Sequence, residues 1–165
     1  MTLVMGKCDS EPPVFVNTVK VQSAKDMYDA VIERADSMDI IVKAAAVADY
    51  RPKNVSSEKV KKQDGNMSIE LERTDDILKT LGERKNGQFI CGFSMETENM
   101  LENSRKKLEK KNCDMIVANN LKQDGAGFGG NTNIVTLITK DDEVQLEKMT
   151  KDEVAEKIFD FILSR

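Results

Sequence analysis

Two short basic clusters stand out in a chain whose overall balance is acidic. The 165 residues contain 25 Lys and Arg against 29 Asp and Glu, which gives a formal net charge of −4. Residues 51–62 hold five basic side chains and one acid, Glu58, and residues 105–111 hold five and one, Glu109. Compact cationic clusters on an acidic chain favour a small polyanion over nucleic acid as the partner. The alternative is that both are ordinary solvated lysine-rich surfaces.

The residue types narrow the chemistry further. The chain has no histidine, which excludes Ser-His and Cys-His nucleophiles and any zinc site built on imidazole. Catalysis would then rely on Lys, Arg, Asp, Asn and backbone N–H groups, a set suited to handling phosphates. The three cysteines are widely spaced and form no C-x-x-C pair. Cys91 and Cys113 lie in apolar segments, which predicts small core residues in a reducing compartment.

The stretch Ala44-Ala45-Ala46-Val47-Ala48-Asp49-Tyr50-Arg51-Pro52 is a first candidate site. It continues an apolar strand, so Asp49 is predicted at the carboxyl edge of a sheet. Small side chains there would let a ligand approach the backbone closely, as glycines do at other nucleotide sites. The alternative is tight packing at a strand end, with Asp49 capping a turn.

Lys107 and Lys111 are a second candidate, because they lie one turn apart beside a predicted apolar stripe. Within the predicted helix neither has an acidic residue three or four positions away, and like charges at that spacing cost an isolated helix about 0.2–0.5 kcal/mol. Such a pair suits a bound phosphate, although exposed lysines are common and a plain surface role stays open. Lys106 has Glu102 one turn earlier and is predicted to pair with it.

The segment Gly125-Ala126-Gly127-Phe128-Gly129-Gly130 has the spacing of a dinucleotide-binding fingerprint. That fingerprint needs a strand before it and a helix after it. Here a polar loop precedes the glycines and a predicted strand follows, so we interpret the segment as a glycine loop that does not hold a pyrophosphate.

The elements that must position these residues alternate between strands and helices. Apolar and alternating runs predict strands at 2–5, 16–21, 40–48, 67–72, 89–93 and 115–118, and a hairpin of 134–139 with 144–146. Residues 49–66 are predicted to be irregular. Helices are predicted after the Ser23–Asp26 start signal, over 75–84 and 98–111, and after the Thr150–Glu153 cap. In the last helix, the side chains predicted to pack inward are Val154, Ile158, Phe161 and Ile162. The 40–48 run is the kind that is buried on both faces of a parallel sheet.

This order predicts an α/β fold with a mainly parallel sheet and flanking helices, organised as one domain over residues 1–165. The longest apolar run is too short to span a bilayer, and no export signal opens the chain. We therefore expect a cytoplasmic protein without a membrane or nucleic-acid partner.

Six stretches together resemble the phosphopantothenoylcysteine synthetase family. They run in the family's order along the whole chain and read "AAAVADYRP", "EKVKKQ", "TDDILKTLG", "GFSMETEN", "KKLEKKNCDMIVANN" and "GAGFGGNTNIVTLI". In many bacteria this family forms the C-terminal half of a bifunctional coenzyme A biosynthesis flavoprotein. The resemblance implies a Rossmann-like fold and places the glycine loop in the family pattern.

The resemblance also implies a reaction. The carboxylate of 4′-phosphopantothenate attacks the α-phosphate of CTP, giving an acyl-cytidylate, and the amine of L-cysteine then displaces CMP. Lys59, the first lysine of K-x-K-K, matches the catalytic lysine that contacts the reacting phosphates and the acyl intermediate. Ala45 and Ala46 match residues at the acyl-cytidylate. Contacts to CTP carry over to Ala45, Asp49, Lys59, Asp75, Asp76, Ile77, Leu78, Phe93, Lys107 and Lys111.

Cofactors, partners and completeness follow from the same resemblance. Mg²⁺ is expected with the triphosphate, with no ligands assigned in the protein, and no flavin is expected in this chain. A homodimer is expected, in which residues 59–72 form a β-arm that reaches the partner's site. The family's first glycine-rich βα unit has no counterpart here, so we expect an N-terminally incomplete domain. The alternative function is therefore a nucleotide-binding and dimerisation fragment without turnover.

Overall fold

The computed structural model describes residues 1–8, 11–62, 64–96, 98–120 and 130–165. They form two compact units, Met1–Arg34 with Ala45–Ile77 and Ala35–Ala44 with Leu78–Arg165. The helices are α1 (Ala24–Ala35), α2 (Ile77–Arg84), α3 (Met100–Lys110) and α4 (Lys151–Leu163). The strands are β1 (Thr2–Met5), β2 (Asn17–Lys20), β3 (Ile40–Lys43), β4 (Tyr50–Pro52), β5 (Leu71–Arg73), β6 (Phe89–Glu96), β7 (Met115–Asn120), β8 (Thr132–Asn133), β9 (Val135–Ile138), β10 (Glu143–Gln145) and β11 (Met149–Thr150).

The first unit contains two small sheets. Strands β1 and β2 pair in parallel, with Thr2 opposite Asn17. Helix α1 begins where the sequence predicts, because the Ser23 hydroxyl accepts the Asp26 N–H at 3.1 Å and the Asp26 carboxylate accepts the Ser23 N–H at 2.9 Å. Hydrogen bonds to the Asp26 carboxylate, first from the Ser23 side chain and then from backbone N–H groups, lower the pKa of Asp26.

Strands β4 and β5 pair antiparallel in the same unit, with Arg51 opposite Glu72. This ribbon corrects two predictions. Residues 50–52 are a strand where the sequence suggested irregular chain, and the predicted strand at 67–72 is a strand only over Leu71–Arg73. A two-stranded ribbon has little packing to stabilise it, so its strands stay short.

The second unit is built on a five-stranded sheet in the order β10-β9-β7-β6-β3. The β3–β6 and β6–β7 pairings are parallel, whereas β9 runs antiparallel to both of its neighbours. Four of the five strands therefore run in one direction, which confirms the mainly parallel α/β fold. The predicted hairpin is present as β9 and β10.

Strand β3 differs from its prediction in length and burial. It ends at Lys43, not at Ala48, and it lies at one end of the five-stranded sheet. Val42 is 37% exposed, so this strand is not buried on both faces. Alanine has low strand propensity because its side chain offers little to pack, and the strand stops where the alanines begin.

One face of this sheet and helix α4 enclose the main core, whose members are Cys91, Met115, Val117, Val135, Leu137, Val154, Ile158 and Ile162. The predicted inward positions of α4 are confirmed, with Phe161 half-buried at the margin. Thr150 and Glu153 form the predicted capping box, in which the Thr150 N–H donates to the Glu153 carboxylate at 2.8 Å.

Helix α3 packs on β6 and β7. Gly92 and Ile116 alternate along their strands with the core residues Cys91 and Met115, so they face the opposite side of the sheet. A Cβ on Gly92 would lie 2.7 Å from Leu78 Cδ2 and 3.0 Å from Ile116 Cδ1. Gly92 is therefore a close-packing position. Among the described helices, none has the length and apolarity needed to cross a bilayer.

Candidate functional site

The alanine-rich segment lies in irregular chain after β3. Ala44, Ala45, Ala46, Ala48 and Asp49 are all exposed. The prediction that a strand end holds Asp49 is wrong, because β3 ends six residues earlier. The alternative of tight packing is also wrong for these alanines. What the structure presents is a surface loop of small side chains, which would let a ligand approach the chain closely.

Thr74 fastens the end of this loop to the T-D-D-I-L motif. Its hydroxyl donates to the Ala48 carbonyl at 2.6 Å, and its N–H donates to the Asp49 carbonyl at 3.0 Å. The two motifs lie 26 residues apart in sequence. Two hydrogen bonds from one residue therefore bring Asp49 and Asp75 onto neighbouring stretches of the first unit.

The β4–β5 ribbon supports this junction and uses part of the first basic cluster. Arg51 Nε lies 2.8 Å from Glu72 Oε1, and Lys53 Nζ lies 2.7 Å from Glu70 Oε1. These two cations are therefore paired across the ribbon. The cations of this cluster that remain for a ligand are Lys59, Lys61 and Lys62, all exposed.

Lys59 lies in a stretch without regular structure. In the part of the chain that the structure describes, no contact joins it to Asp49 or Asp75. Its assignment as the catalytic lysine stays a prediction that rests on the K-x-K-K motif.

The T-D-D-I-L motif forms the turn that enters α2. Asp75 and Asp76 are exposed and precede the first helical residue, Ile77. Ile77 and Leu78 are only 3% and 4% exposed, so their side chains belong to the core and any contact with a nucleotide would use their backbone. Carboxylates at a helix N-terminus are stabilised by the positive end of the helix dipole. A structural role for Asp75 and Asp76 in starting α2 is thus compatible with a binding role.

Phe93 and Lys107 come together in the second unit. Lys107 Nζ donates to the Phe93 carbonyl at 2.9 Å, which joins α3 to β6. The Phe93 side chain is half-buried against the core cluster. The acceptor is a neutral carbonyl and not a carboxylate, and the Lys107 ammonium group has further N–H donors that an anion could use. Its role in binding a nucleotide stays a prediction.

Two neighbouring cations of α3, Lys106 and Arg105, are paired with acids. Lys106 Nζ lies 2.6 Å from Glu102 Oε1, as the spacing predicts, and this hydrogen bond lowers the pKa of Glu102. Arg105 lies 2.7 Å from Glu143 of β10. Lys111 caps the end of α3, where its N–H donates to the Lys107 carbonyl at 2.9 Å. Lys107 differs from Lys106 and Arg105 in having a neutral acceptor, and the assignment of Lys111 to a ligand stays a prediction.

Two cysteines lie in the same unit but are unsuited to nucleophilic chemistry. Cys91 and Cys113 are buried, and desolvation raises the pKa of the Cys91 thiol to about 12 and that of Cys113 to about 11. Lys107 and Lys111 oppose the shift at Cys113 but do not overcome it. Reactive cysteines need a lowered pKa, so both are core residues, as predicted.

The described residues contain no group of three or more Cys, Asp or Glu side chains able to hold a metal ion. Of the glycine loop, Gly125–Gly129 lie outside the described residues, and Gly130 leads into strands β8 and β9. The chain after the glycines is therefore a strand, not the helix that a dinucleotide fingerprint requires.

Comparison with known proteins decides the family. The family model for the DNA/pantothenate metabolism flavoprotein C-terminal domain matches residues 1–165. The chain belongs to this family.

Among the relatives of this flavoprotein C-terminal domain, the coenzyme A biosynthesis bifunctional protein CoaBC of Bacillus subtilis is 53% identical over 131 residues, which cover 79% of this chain and 32% of that protein. A crystal structure of a CoaBC C-terminal domain is 46% identical with a TM-score of 0.81, covering 98% of this chain and 71% of the other. A Cab2 mutant in complex with phosphopantothenate-cysteine is 18% identical with a TM-score of 0.63, covering 80% of this chain and 47% of the other, and shows a shared fold. The chain spans less than half the length of the curated relatives.

The sequence did not single out Thr74 as a functional residue, although it opens the family's T-D-D-I-L stretch. A threonine three positions before the first residue of a helix is an ordinary turn residue. Its importance comes from the two carbonyls that it holds on the alanine loop.

Proposed function

We propose that the chain is a phosphopantothenate–cysteine ligase domain of coenzyme A biosynthesis. Three findings support this: membership of the flavoprotein C-terminal domain family, the 53% identity to a CoaBC protein, and the 46% identity to a CoaBC C-terminal domain of known structure. The observation that carries the proposal at the site is the double hydrogen bond of Thr74, which joins the alanine-loop and T-D-D-I-L motifs.

The reaction that we propose has two steps. The carboxylate oxygen of 4′-phosphopantothenate attacks the α-phosphorus of CTP, so an acyl-phosphate bond forms and pyrophosphate leaves. The amine of L-cysteine then attacks the acyl carbon, an amide forms, CMP leaves, and the amine proton is released. Both steps build negative charge on phosphate oxygens, which fixed cations stabilise.

Our assignment of roles follows that charge. Lys59 contacts the reacting phosphates, and Lys107 and Lys111 contribute cations for CTP. The hydrogen bond of Lys107 is to a neutral carbonyl and not to a competing carboxylate. The exposed backbone at Ala45 and Ala46 lies against the acyl-cytidylate. Asp49, Asp75, Asp76, the backbone of Ile77 and Leu78, and Phe93 complete the proposed CTP contacts.

Mg²⁺ enters this proposal with the nucleotide. A triphosphate supplies the oxygen ligands that Mg²⁺ prefers, and such ions commonly keep several waters. The described residues offer no cluster of three acids for a site built by the protein alone. We therefore assign the metal to the phosphates of CTP, with no protein ligand named.

We also propose a homodimer, with residues 59–72 as the arm. This region and its base expose large apolar side chains, namely Val55, Val60, Met67, Ile69 and Leu71, at 55–84% exposure. Residues 67–69 alternate as a strand would, yet they pair with no strand among the described residues, whereas the Glu70 carbonyl accepts the Lys53 N–H at 3.0 Å. A second copy would cover these side chains.

Two buried cysteines without a disulfide favour a reducing, cytoplasmic location.

The test is release of pyrophosphate from CTP in the presence of Mg²⁺, 4′-phosphopantothenate and L-cysteine. We expect turnover that is lost in Lys59→Gln and kept in Lys110→Gln, which removes an exposed lysine from α3 as a matched control. The assay also separates the two candidate functions, because a fragment without turnover would bind CTP and release no pyrophosphate. Equal activity of the two variants would contradict the role of Lys59.

A further inference from the structure

Gly82, in the middle of α2, lies against the end of α3 more closely than any side chain would allow. A Cβ built on Gly82 would lie 1.9 Å from the carbonyl oxygen of Lys111 and 2.8 Å from its carbonyl carbon. The obstacle is backbone, so it does not move aside as the tip of a side chain would. Glycine is a much poorer helix former than alanine, so its presence inside α2 needs a reason.

A second contact joins the same two elements. The Asn112 side-chain amide donates to the Gly82 carbonyl at 2.9 Å. Asn112 has a positive φ of 50°, the left-handed conformation that ends helices, and Asn tolerates it better than most residues. Its own N–H donates to the Glu109 carbonyl at 3.1 Å, and the Cys113 N–H donates to the Leu108 carbonyl at 3.0 Å. These two bonds are the pattern of a Schellman motif, which fixes how α3 ends.

The end that is fixed in this way carries the lysines of the proposed CTP site. Lys111 is the last residue before the Schellman turn, and its carbonyl is the group that touches Gly82. One turn earlier, Lys107 is held by the Phe93 carbonyl at 2.9 Å. The end of α3 is therefore held on one side by β6 and on another by α2. The contact with α2 is possible only because Gly82 has no side chain.

We propose that Gly82 is a positioning residue for phosphate binding: it seats the C-terminus of α3 on α2 and so sets where Lys107 and Lys111 meet the phosphates of CTP. This inference rests on the proposed function. In Gly82→Ala, the Lys111 carbonyl must move away from α2 by an ångström or more to reach ordinary contact, about 3.4 Å, and the lysine moves with its backbone. A displacement of that size is enough to weaken a charge-assisted hydrogen bond.

The experiment is a double-variant cycle on the affinity of the 165-residue chain for CTP with Mg²⁺, measured by calorimetry. Gly82→Ala is expected to weaken CTP binding by about tenfold, equivalent to about 1.4 kcal/mol. Because Gly82 acts through the lysines, Gly82→Ala combined with Lys111→Ala should bind CTP no more weakly than Lys111→Ala alone. A purely structural role predicts losses that add. Additive losses, or unchanged binding in Gly82→Ala, would overturn the proposal.

Two controls separate positioning from loss of stability. Val154→Ala leaves a cavity in the core beside α4 and is expected to lower the melting temperature while its CTP affinity stays within about twofold of wild type. Asn112→Ala removes the side-chain hydrogen bond to the Gly82 carbonyl and replaces Gly82→Ala in the cycle if that variant does not fold. It should also weaken CTP binding, and its loss of affinity should not add to that of Lys111→Ala. Normal binding by a folded Asn112→Ala would contradict the inference. Failure of the wild-type chain to bind CTP would overturn both this inference and the proposed function, whereas normal Gly82→Ala binding overturns the inference alone.

Discussion

The hydroxyl of Thr74 offers a direct test of how the alanine loop is held. Thr74→Val keeps the shape of the side chain and removes the donor to the Ala48 carbonyl at 2.6 Å, while the backbone bond to Asp49 stays. A neutral hydrogen bond contributes about 0.5–1.5 kcal/mol net. Thr74 is half-buried and Ala48 is exposed, so water can replace part of the lost bond. We therefore expect a cost in the lower part of that range, about 0.5–1 kcal/mol.

Two measurements follow from this value. The melting temperature should fall by about 1–4 °C for a chain of this length. If the loop contacts CTP, the loss of one of the two Thr74 hydrogen bonds that hold it should raise the CTP dissociation constant by about two- to fivefold in calorimetry. Thr74→Ser, which keeps the hydroxyl, should behave as the wild type.

The matched control is Thr18→Val in β2, whose hydroxyl donates to the Val16 carbonyl at 3.3 Å. It removes the same type of hydrogen bond from the same unit, so it should lower stability without changing CTP affinity. Equal CTP affinity in Thr74→Val, Thr18→Val and the wild type would refute the reasoning that Thr74 positions the loop for binding.

Four further predictions concern the chain's chemistry and packing. Alkylation of the folded protein at pH 8 should add one label per chain, at the exposed Cys8, because burial and a raised pKa keep the other two thiols neutral and inaccessible; three labels before unfolding would contradict this. Thr150→Ala should cost about 1 kcal/mol by removing the cap of α4, seen as a lower melting temperature. Hydrogen bonding to Thr150 lowers the pKa of Glu153 in the folded state. The ionised Glu153 therefore stabilises the fold above the ordinary Glu pKa, and this stabilisation is lost as the pH falls through the folded-state pKa. The difference in unfolding free energy between wild type and Glu153→Gln should narrow over that acidic range. Gly92→Ala should destabilise by about 1–3 kcal/mol in chemical unfolding, since the added methyl meets two packed side chains, and an unchanged unfolding midpoint would refute that packing account.

The type and order of the elements could be predicted because they depend on local pattern. The caps of α1 and α4 and the buried stripe of α4 were correct, since each involves residues three or four positions apart. The errors came where a distant neighbour decides. The run 40–48 looks like one strand, but only Ile40–Lys43 pair with β6, and the β4–β5 ribbon pairs residues too far apart for any local pattern to reveal.

The candidate site divides in the same way. Motifs alone identified the alanine loop, the T-D-D-I-L turn and the lysine pair of α3, because motif matching needs residue types at short spacing and no coordinates. The motifs did not show which of the cationic side chains form ion pairs with acidic side chains. The structure pairs Arg51 with Glu72 and Arg105 with Glu143, and it gives Lys107 a neutral acceptor.

By itself, then, the sequence determined the α/β class, the capped helices and the unreactive cysteines, which follow from composition and local periodicity. It also contained the family's motifs, which were identified by their resemblance to a known family. Only the tertiary structure decided that Thr74 holds Ala48, 26 residues away, and that Gly82 lies against Lys111 and accepts from Asn112, 30 residues away. The physical reason is range. A hydrogen bond or a close backbone approach depends on distances of a few ångströms, and the folded chain sets those distances between residues that the sequence keeps apart.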